Sequence, residues 1–171
     1  MIDNSTILAV NEAVHKPLNY NDYDQTAVRE GTNCYSHAIG STVHSDNRVY
    51  RLGAASGKNL DDYYTSIQEV NELLLSDLKI FELEIEKLEL DKKDLIGSEM
   101  SIIEPDQLII ALFAQQRREN DVIKEFHFIR YDSVKGWTEK RWGFKPFEVN
   151  AKINWYDFWP YKQVGIYRIT R

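Results

Sequence analysis

The sequence predicts an α+β domain, with helices in the first half and antiparallel strands in the second. Three observations carry that reading. Apolar residues recur at helical spacing between Leu60 and Lys93, and after Pro105 they gather into short runs separated by turn formers. No internal repeat or low-complexity tract divides the 171 residues, so one domain spanning 1–171 is expected.

Residues 1–31 read as irregular, with Pro17-Leu18-Asn19-Tyr20-Asn21-Asp22-Tyr23-Asp24 rich in turn formers. A short helix is expected from Cys34 to about residue 43. Polar and glycine-rich loops follow at His44–Arg48 and Gly53–Gly57. Ile67, Val70, Leu73 and Leu74 mark an amphipathic helix over about 60–76. The stretch Leu78–Leu90 is read as its helical continuation, although the alternation of Phe81, Leu83 and Ile85 also fits a strand. The acidic run from Glu82 to Asp94 is then a solvated helical face.

After Pro105, Gln107–Ala114 is a nearly continuous apolar run and predicts a buried strand. Val122–Tyr131 and Gly136–Trp142 predict two more strands, paired as a hairpin through the turn formers Asp132–Gly136. Val164–Thr170 predicts a last one. The aromatic cluster Trp155–Tyr161 reads as core plus rim rather than as a sugar or peptide platform.

Composition narrows the function classes. Hydrophobic content of 43% and charged content of 28% are ordinary for a soluble globular domain. A net charge of −6 argues against binding driven by phosphate neutralisation, so no nucleic-acid partner is expected. No apolar run reaches the length of a membrane span, and Met1–Thr6 lacks the basic and apolar regions of a secretory signal. A cytoplasmic protein, or one exported without a cleavable signal peptide, is expected. A single cysteine forms no internal disulfide, and no Cys/His pair has zinc-finger spacing, so neither metal nor cofactor is expected.

That cysteine is the most informative residue. Cys34 falls in Gly31-Thr32-Asn33-Cys34-Tyr35-Ser36-His37, where a loop passes into the short helix. Free backbone N–H groups and the helix dipole at such a position favour the thiolate. A partner histidine lies downstream in Lys124-Glu125-Phe126-His127-Phe128-Ile129-Arg130. On a strand His127, Ile129 and Tyr131 face one way, and Phe126, Phe128 and Arg130 the other. A turn near 133–134 puts Glu139 on the same face as His127, opposite or diagonal to it. Asp132 has the wrong parity and is the weaker candidate.

Diagonal neighbours have Cβ atoms about 7–8 Å apart, within reach of a Glu–His hydrogen bond. Cys34 would attack a carbonyl carbon, and His127 would hold the thiolate and protonate the leaving amine. Glu139 would fix the imidazole, and backbone N–H groups near Cys34, with the Asn33 side chain, would bind the oxyanion. The simpler readings make Cys34 a small buried hydrophobe, His127 a satisfied sheet histidine and Glu139 a solvated charge. His37, three residues after Cys34, is read as packing or lining the cleft rather than as a rival base.

The segments Asn33-Cys34-Tyr35-Ser36-His37-Ala38, Glu125–Arg130 and Gly136-Trp137-Thr138-Glu139-Lys140 together resemble a bacterial and phage group of papain-like, NlpC-like cysteine peptidases. Members of that group carry Asn-Cys-Tyr-x-Tyr-Ala, then an aromatic-His-aromatic-Tyr-Arg strand, then Trp-Ser-His-Lys. The ending Tyr161–Ile169 is similar too. This chain departs from the pattern at His37, where the group has tyrosine, and at Glu139, where it has a second histidine.

The resemblance implies a papain-like fold, with the cysteine at a helix N-terminus packed on the C-terminal antiparallel sheet. It implies Cys34 as nucleophile and His127 as base; Asn33, Tyr35 and His37 are expected, from their places around Cys34, at the oxyanion site and cleft. The activity it implies is that of a thiol-dependent amide hydrolase or acyltransferase, used as a bacterial effector on a protein, peptide or peptidoglycan substrate. A peptidoglycan amidase or endopeptidase toxin, and a non-catalytic binding module on the same fold, are the alternatives.

Overall fold

The computed structural model describes residues 18, 20–41, 44–45, 48–49, 52–57, 66–90, 104, 106–116, 123–132, 135–141, 144–149 and 161–171. The expectations for residues 1–17, 60–65, 91–94, 142 and 155–160 lie outside the described residues. The fold is α+β, with helices packed on one face of a six-stranded antiparallel sheet.

A 3-10 turn at Tyr20–Asp24 leads into helix α1, Thr26–Glu30, and helix α2, Cys34–Ile39. The expected polar loop at His44–Arg48 instead carries a small ladder. Strand β1, His44–Ser45, pairs there with β2, Arg48–Val49. Helix α3 is Ile67–Ile80. The large sheet comprises β3 (Glu84–Leu88), β4 (Gln107–Gln116), β5 (Ile123–Asp132), β6 (Gly136–Glu139), β7 (Phe147–Glu148) and β8 (Tyr161–Thr170). Its strand order is β3-β8-β4-β5-β6-β7.

Helix α3 starts where Ser66 Oγ accepts the Glu69 backbone N–H at 3.2 Å. Val70, Leu73, Leu74 and Leu78 form its buried stripe, spaced as successive turns of one helical face require. The continuation to Leu90 as helix is overturned. Glu82 takes a left-handed φ of 57°, Leu83 N–H donates to the Leu78 carbonyl, and Glu82 N–H donates to that of Lys79. These bonds close the helix in a Schellman motif, with Leu83 packed in the same cluster as Leu78. The chain then enters β3, so the exposed Glu82, Glu84 and Glu86 are solvated on a turn and a strand rather than on a helix.

The continuous apolar run of β4 reflects a sheet covered on both sides. Ile110, Leu112 and Ala114 meet Phe128, Tyr167 and Ile169 under the helices. Ile109, Ala111 and Phe113 meet Ile129, Trp137, Tyr161 and Ile166 on the opposite face. Burying each large apolar side chain contributes about 1.5–3 kcal/mol, which makes this double-sided centre the main source of cohesion.

Candidate active site

The turn before α2 is built to present a side chain. Asn33 Oδ1 accepts the Ser36 backbone N–H at 2.8 Å and the Ser36 hydroxyl at 2.9 Å, which starts the helix at Cys34. Gly40 ends it with a left-handed φ of 75°, and Ser41 N–H donates to the Ser36 carbonyl at 2.9 Å. Arg130 reaches across from β5 and donates to the His37 carbonyl at 3.0 Å. Six residues are thus clamped at both ends over β5, with Tyr35 packed against Phe128.

The hairpin register sets the other side of the site. Ile129 pairs with Glu139 and Tyr131 with Trp137, so Glu139 is the diagonal neighbour of His127. His127 Nε2 lies 3.0 Å from Glu139 Oε2, and Arg141 Nη2 donates to Glu139 Oε1 at 3.2 Å. The Arg141 guanidinium also lies over the Phe147 ring, 5.4 Å from its centroid.

Cys34 and His127 belong to different sides of β5, because α2 covers the face carrying Phe128 and Arg130. The edge of the strand brings them together. The β5–β6 ladder stops at Ile129–Glu139, and Lys140 leaves it towards the chain before Cys34. There the half-buried Cys34 thiol hydrogen-bonds His127. With Nε2 directed to Glu139, Nδ1 is the ring nitrogen left for sulfur.

Burial pulls the His127 pKa down. The hydrogen bonds and charges of Cys34 and Glu139 more than reverse this and push it up to about 9. The ring therefore keeps its proton through neutral pH. Its own contribution to folding is complete below the ordinary value of 6.5 and is lost as pH rises through about 9.

No family model, curated protein or solved structure matches the chain. What the site can do rests on its own geometry.

Cys34, His127 and Glu139 are brought together. The other sequence candidates are placed differently. Asn33 directs its oxygen into the cap of α2. Tyr35 is fully buried and donates to Asp77 Oδ2 at 2.9 Å, so it faces the core rather than a cleft. His37 is buried too. Its Nδ1 lies 2.7 Å from the Tyr23 hydroxyl, and its Nε2 lies 3.1 Å from Thr138 Oγ1. Thr138 donates its own proton to the Arg130 carbonyl, so it accepts from His37 Nε2, and in the neutral ring Nδ1 accepts from Tyr23. Burial, then the charges of Arg130, Lys140 and His127, hold its pKa well below 6.5.

Three participants escape a reading of the sequence alone. Lys140 is buried beside the Cys34 turn, and its parity with Thr138, on the helix-covered face, is the signal that could have found it. Asp77 is a buried carboxylate that accepts from Tyr35, from Gly53 N–H at 2.6 Å and from Ser56 N–H at 3.1 Å. Burial raises its pKa to about 6 against those bonds, and it ties α3 and the 52–57 turn to the residue after Cys34. Tyr161 hydrogen-bonds Glu125. Burial, then Glu125 and the Cys34 charge, raise its pKa well above the ordinary value.

Among the described residues, no group of three or more His, Cys, Asp or Glu side chains could hold a metal ion. No described helix is long and apolar enough to cross a membrane.

Proposed function

We propose that the protein is a papain-like thiol hydrolase or acyltransferase acting on amides. The observation that supports this reading best is the Cys34–His127–Glu139 chain, in which a buried histidine retains its proton between a thiol and a carboxylate. A cysteine opening a helix that packs on an antiparallel sheet, with histidine and carboxylate on adjacent strands, is the arrangement papain-like chemistry needs.

In this scheme the Cys34 thiolate attacks the amide carbonyl carbon, forming the S–C bond as the π pair moves to oxygen. The Cys34 backbone N–H, at the first position of α2, stabilises that oxygen. Collapse breaks the C–N bond, and the His127 imidazolium gives its proton to the departing amine. Neutral His127 then takes a proton from water or from an acceptor amine, which attacks the thioester and releases Cys34 as thiolate. Glu139 keeps Nε2 engaged throughout and stabilises the charged ring. The nature of the second nucleophile decides between hydrolysis and transfer.

The test is the rate of Cys34 alkylation by iodoacetamide at pH 6 and pH 9, with the urea-unfolded chain as internal reference. A free thiol that is half-ionised near pH 8.5 reacts roughly 200-fold more slowly at pH 6 than at pH 9. The folded protein should show a far smaller difference, and His127→Ala should restore most of it. A folded wild type that matches its unfolded chain sinks the proposal.

A further inference from the structure

Lys140 is a buried lysine, the residue 1% exposed. Its Nζ donates to the carbonyls of Arg29 at 3.0 Å, Thr32 at 3.2 Å and Arg141 at 2.8 Å. An ammonium has three protons, and all three are accounted for by backbone oxygens. Glu139, its neighbour in sequence, points to the other side of the strand and is engaged by His127 and Arg141. Among the described residues, Lys140 is therefore a buried cation whose hydrogen bonds bring it no neutralising carboxylate. An uncompensated buried charge is expensive and calls for an anion nearby.

The charges around the site supply one. His127, Lys140, Arg141 and Arg29 are cations and Glu139 and Glu125 are anions, so a neutral thiol would leave four positive charges against two negative, and a thiolate at Cys34 makes that four against three. Lys140 is close enough to feel the Cys34 charge, and the Arg29 guanidinium repels it, while His37 nearby is neutral. Two of its three bonds also hold the chain segment that leads into Asn33 and Cys34.

We infer that Lys140 is a positioning residue for Cys34: it anchors the turn that presents the thiol and acts, beside His127, as a second cation favouring the thiolate. The inference rests on the reading of Cys34 as a nucleophile, and it adds a group that His127 and Glu139 do not account for. At neutral pH the ammonium is present. Burial lowers its pKa to about 8 against the raising effect of Cys34.

The experiment compares the pH 6 to pH 9 ratio of Cys34 alkylation rates in wild type, Lys140→Met, Lys140→Arg and His127→Gln, with the unfolded chain as reference. A nearby opposite charge is worth one or more pKa units, so Lys140→Met should lower the ratio roughly tenfold while Lys140→Arg retains more of it. A Lys140→Met protein that melts earlier but keeps the wild-type ratio overturns the inference, because the lysine is then only a clamp. Should Lys140→Met fail to fold, His127→Gln decides. A ratio still above that of the unfolded chain supports a second cation, and a ratio equal to it rejects Lys140 while leaving the Cys34–His127 pair intact. A wild-type ratio equal to that of the unfolded chain removes both readings.

Discussion

His37 and His127 sit on opposite sides of the β5–β6 hairpin, and both are nearly closed off from water, at 1% and 9% exposure. They nevertheless carry different charge. His37 lies between two hydroxyls, and burial together with the charges of Arg130, Lys140 and His127 disfavours any added proton. His127 lies between a thiol and a carboxylate and holds a proton up to about pH 9. Burial disfavours the charged form in both, so the partners decide the outcome. The residue nearest to Cys34 in sequence is thereby excluded as its base, and one from a distant strand is equipped for the role.

The most direct way to break this contrast is His127→Ala. Loss of a general acid–base group lowers amide turnover roughly 10²- to 10⁴-fold, and single-turnover acylation measures it. The wild-type acylation rate should also fall as pH rises through about 9, where the ring loses the proton destined for the leaving amine. Glu139→Gln is expected to do less, roughly 10- to 100-fold, because Cys34 still favours the charged ring. The glutamine cannot stabilise the imidazolium as a carboxylate does, so the alkaline fall in its acylation profile should move to lower pH. An unchanged midpoint would leave Glu139 as a packing residue.

The hairpin half of the site was legible in the sequence because period-two alternation is a local property. Once the turn at Asp132–Gly136 was placed, parity put His127 and Glu139 on one face, and the diagonal register at Ile129–Glu139 agrees. The same alternation separated Phe128 and Arg130, which lie beneath α2. What could not be read was whatever depends on how elements dock. Tyr35 is expected at the cleft and His37 either there or packed, and a helix clamped at both ends turns both side chains into the interior. The two helix ends make a second contrast. Helix α2 stops at Gly40, short of the end expected near residue 43 although glycine is the residue type that signals a left-handed cap, whereas α3 stops at Glu82 with the same bonds and no such signal. The strand β3 was consequently absorbed into a helix that ends before it begins.

The contrast between the histidines also carries a pH signature in stability. Below pH 6.5 an unfolded chain protonates residue 37, whereas the folded ring, its pKa held well below that value, does not. The unfolded state then binds more protons, so stability falls with falling pH by up to about 1.4 kcal/mol per unit. The urea midpoint at pH 5.5 minus that at pH 7.5 should therefore be more positive in His37→Gln than in wild type. His127 between about pH 6.5 and 9, and Asp77 below about pH 6, act in the opposite sense, since their raised pKa values let the folded state hold the extra proton, but both are common to the two proteins and drop out of the difference. Equal spacing in the two proteins would mean that His37 takes up a proton in the folded state.

The smallest change that sharpens the comparison is Tyr23→Phe. Tyr23 is fully buried, and its hydroxyl is the donor that His37 Nδ1 accepts, with the two rings edge to face at 5.3 Å between centroids. Removing that oxygen leaves the ring contact in place but deprives a buried nitrogen of its partner, which destabilises the fold by about 1–3 kcal/mol at neutral pH. The deprived Nδ1 becomes easier to protonate, because a protonated nitrogen no longer meets a hydroxyl already aimed at it. The acid-side loss of stability should therefore be shallower in Tyr23→Phe than in wild type, as the folded state begins to share the proton. Cys34 lies at the far edge of β5 with its own histidine, so its alkylation ratio between pH 6 and pH 9 should not change. A large change there would mean that the two histidines titrate as one unit, and that the neutral and charged sides of the hairpin are coupled through Thr138 and Arg130 rather than kept apart by the strand.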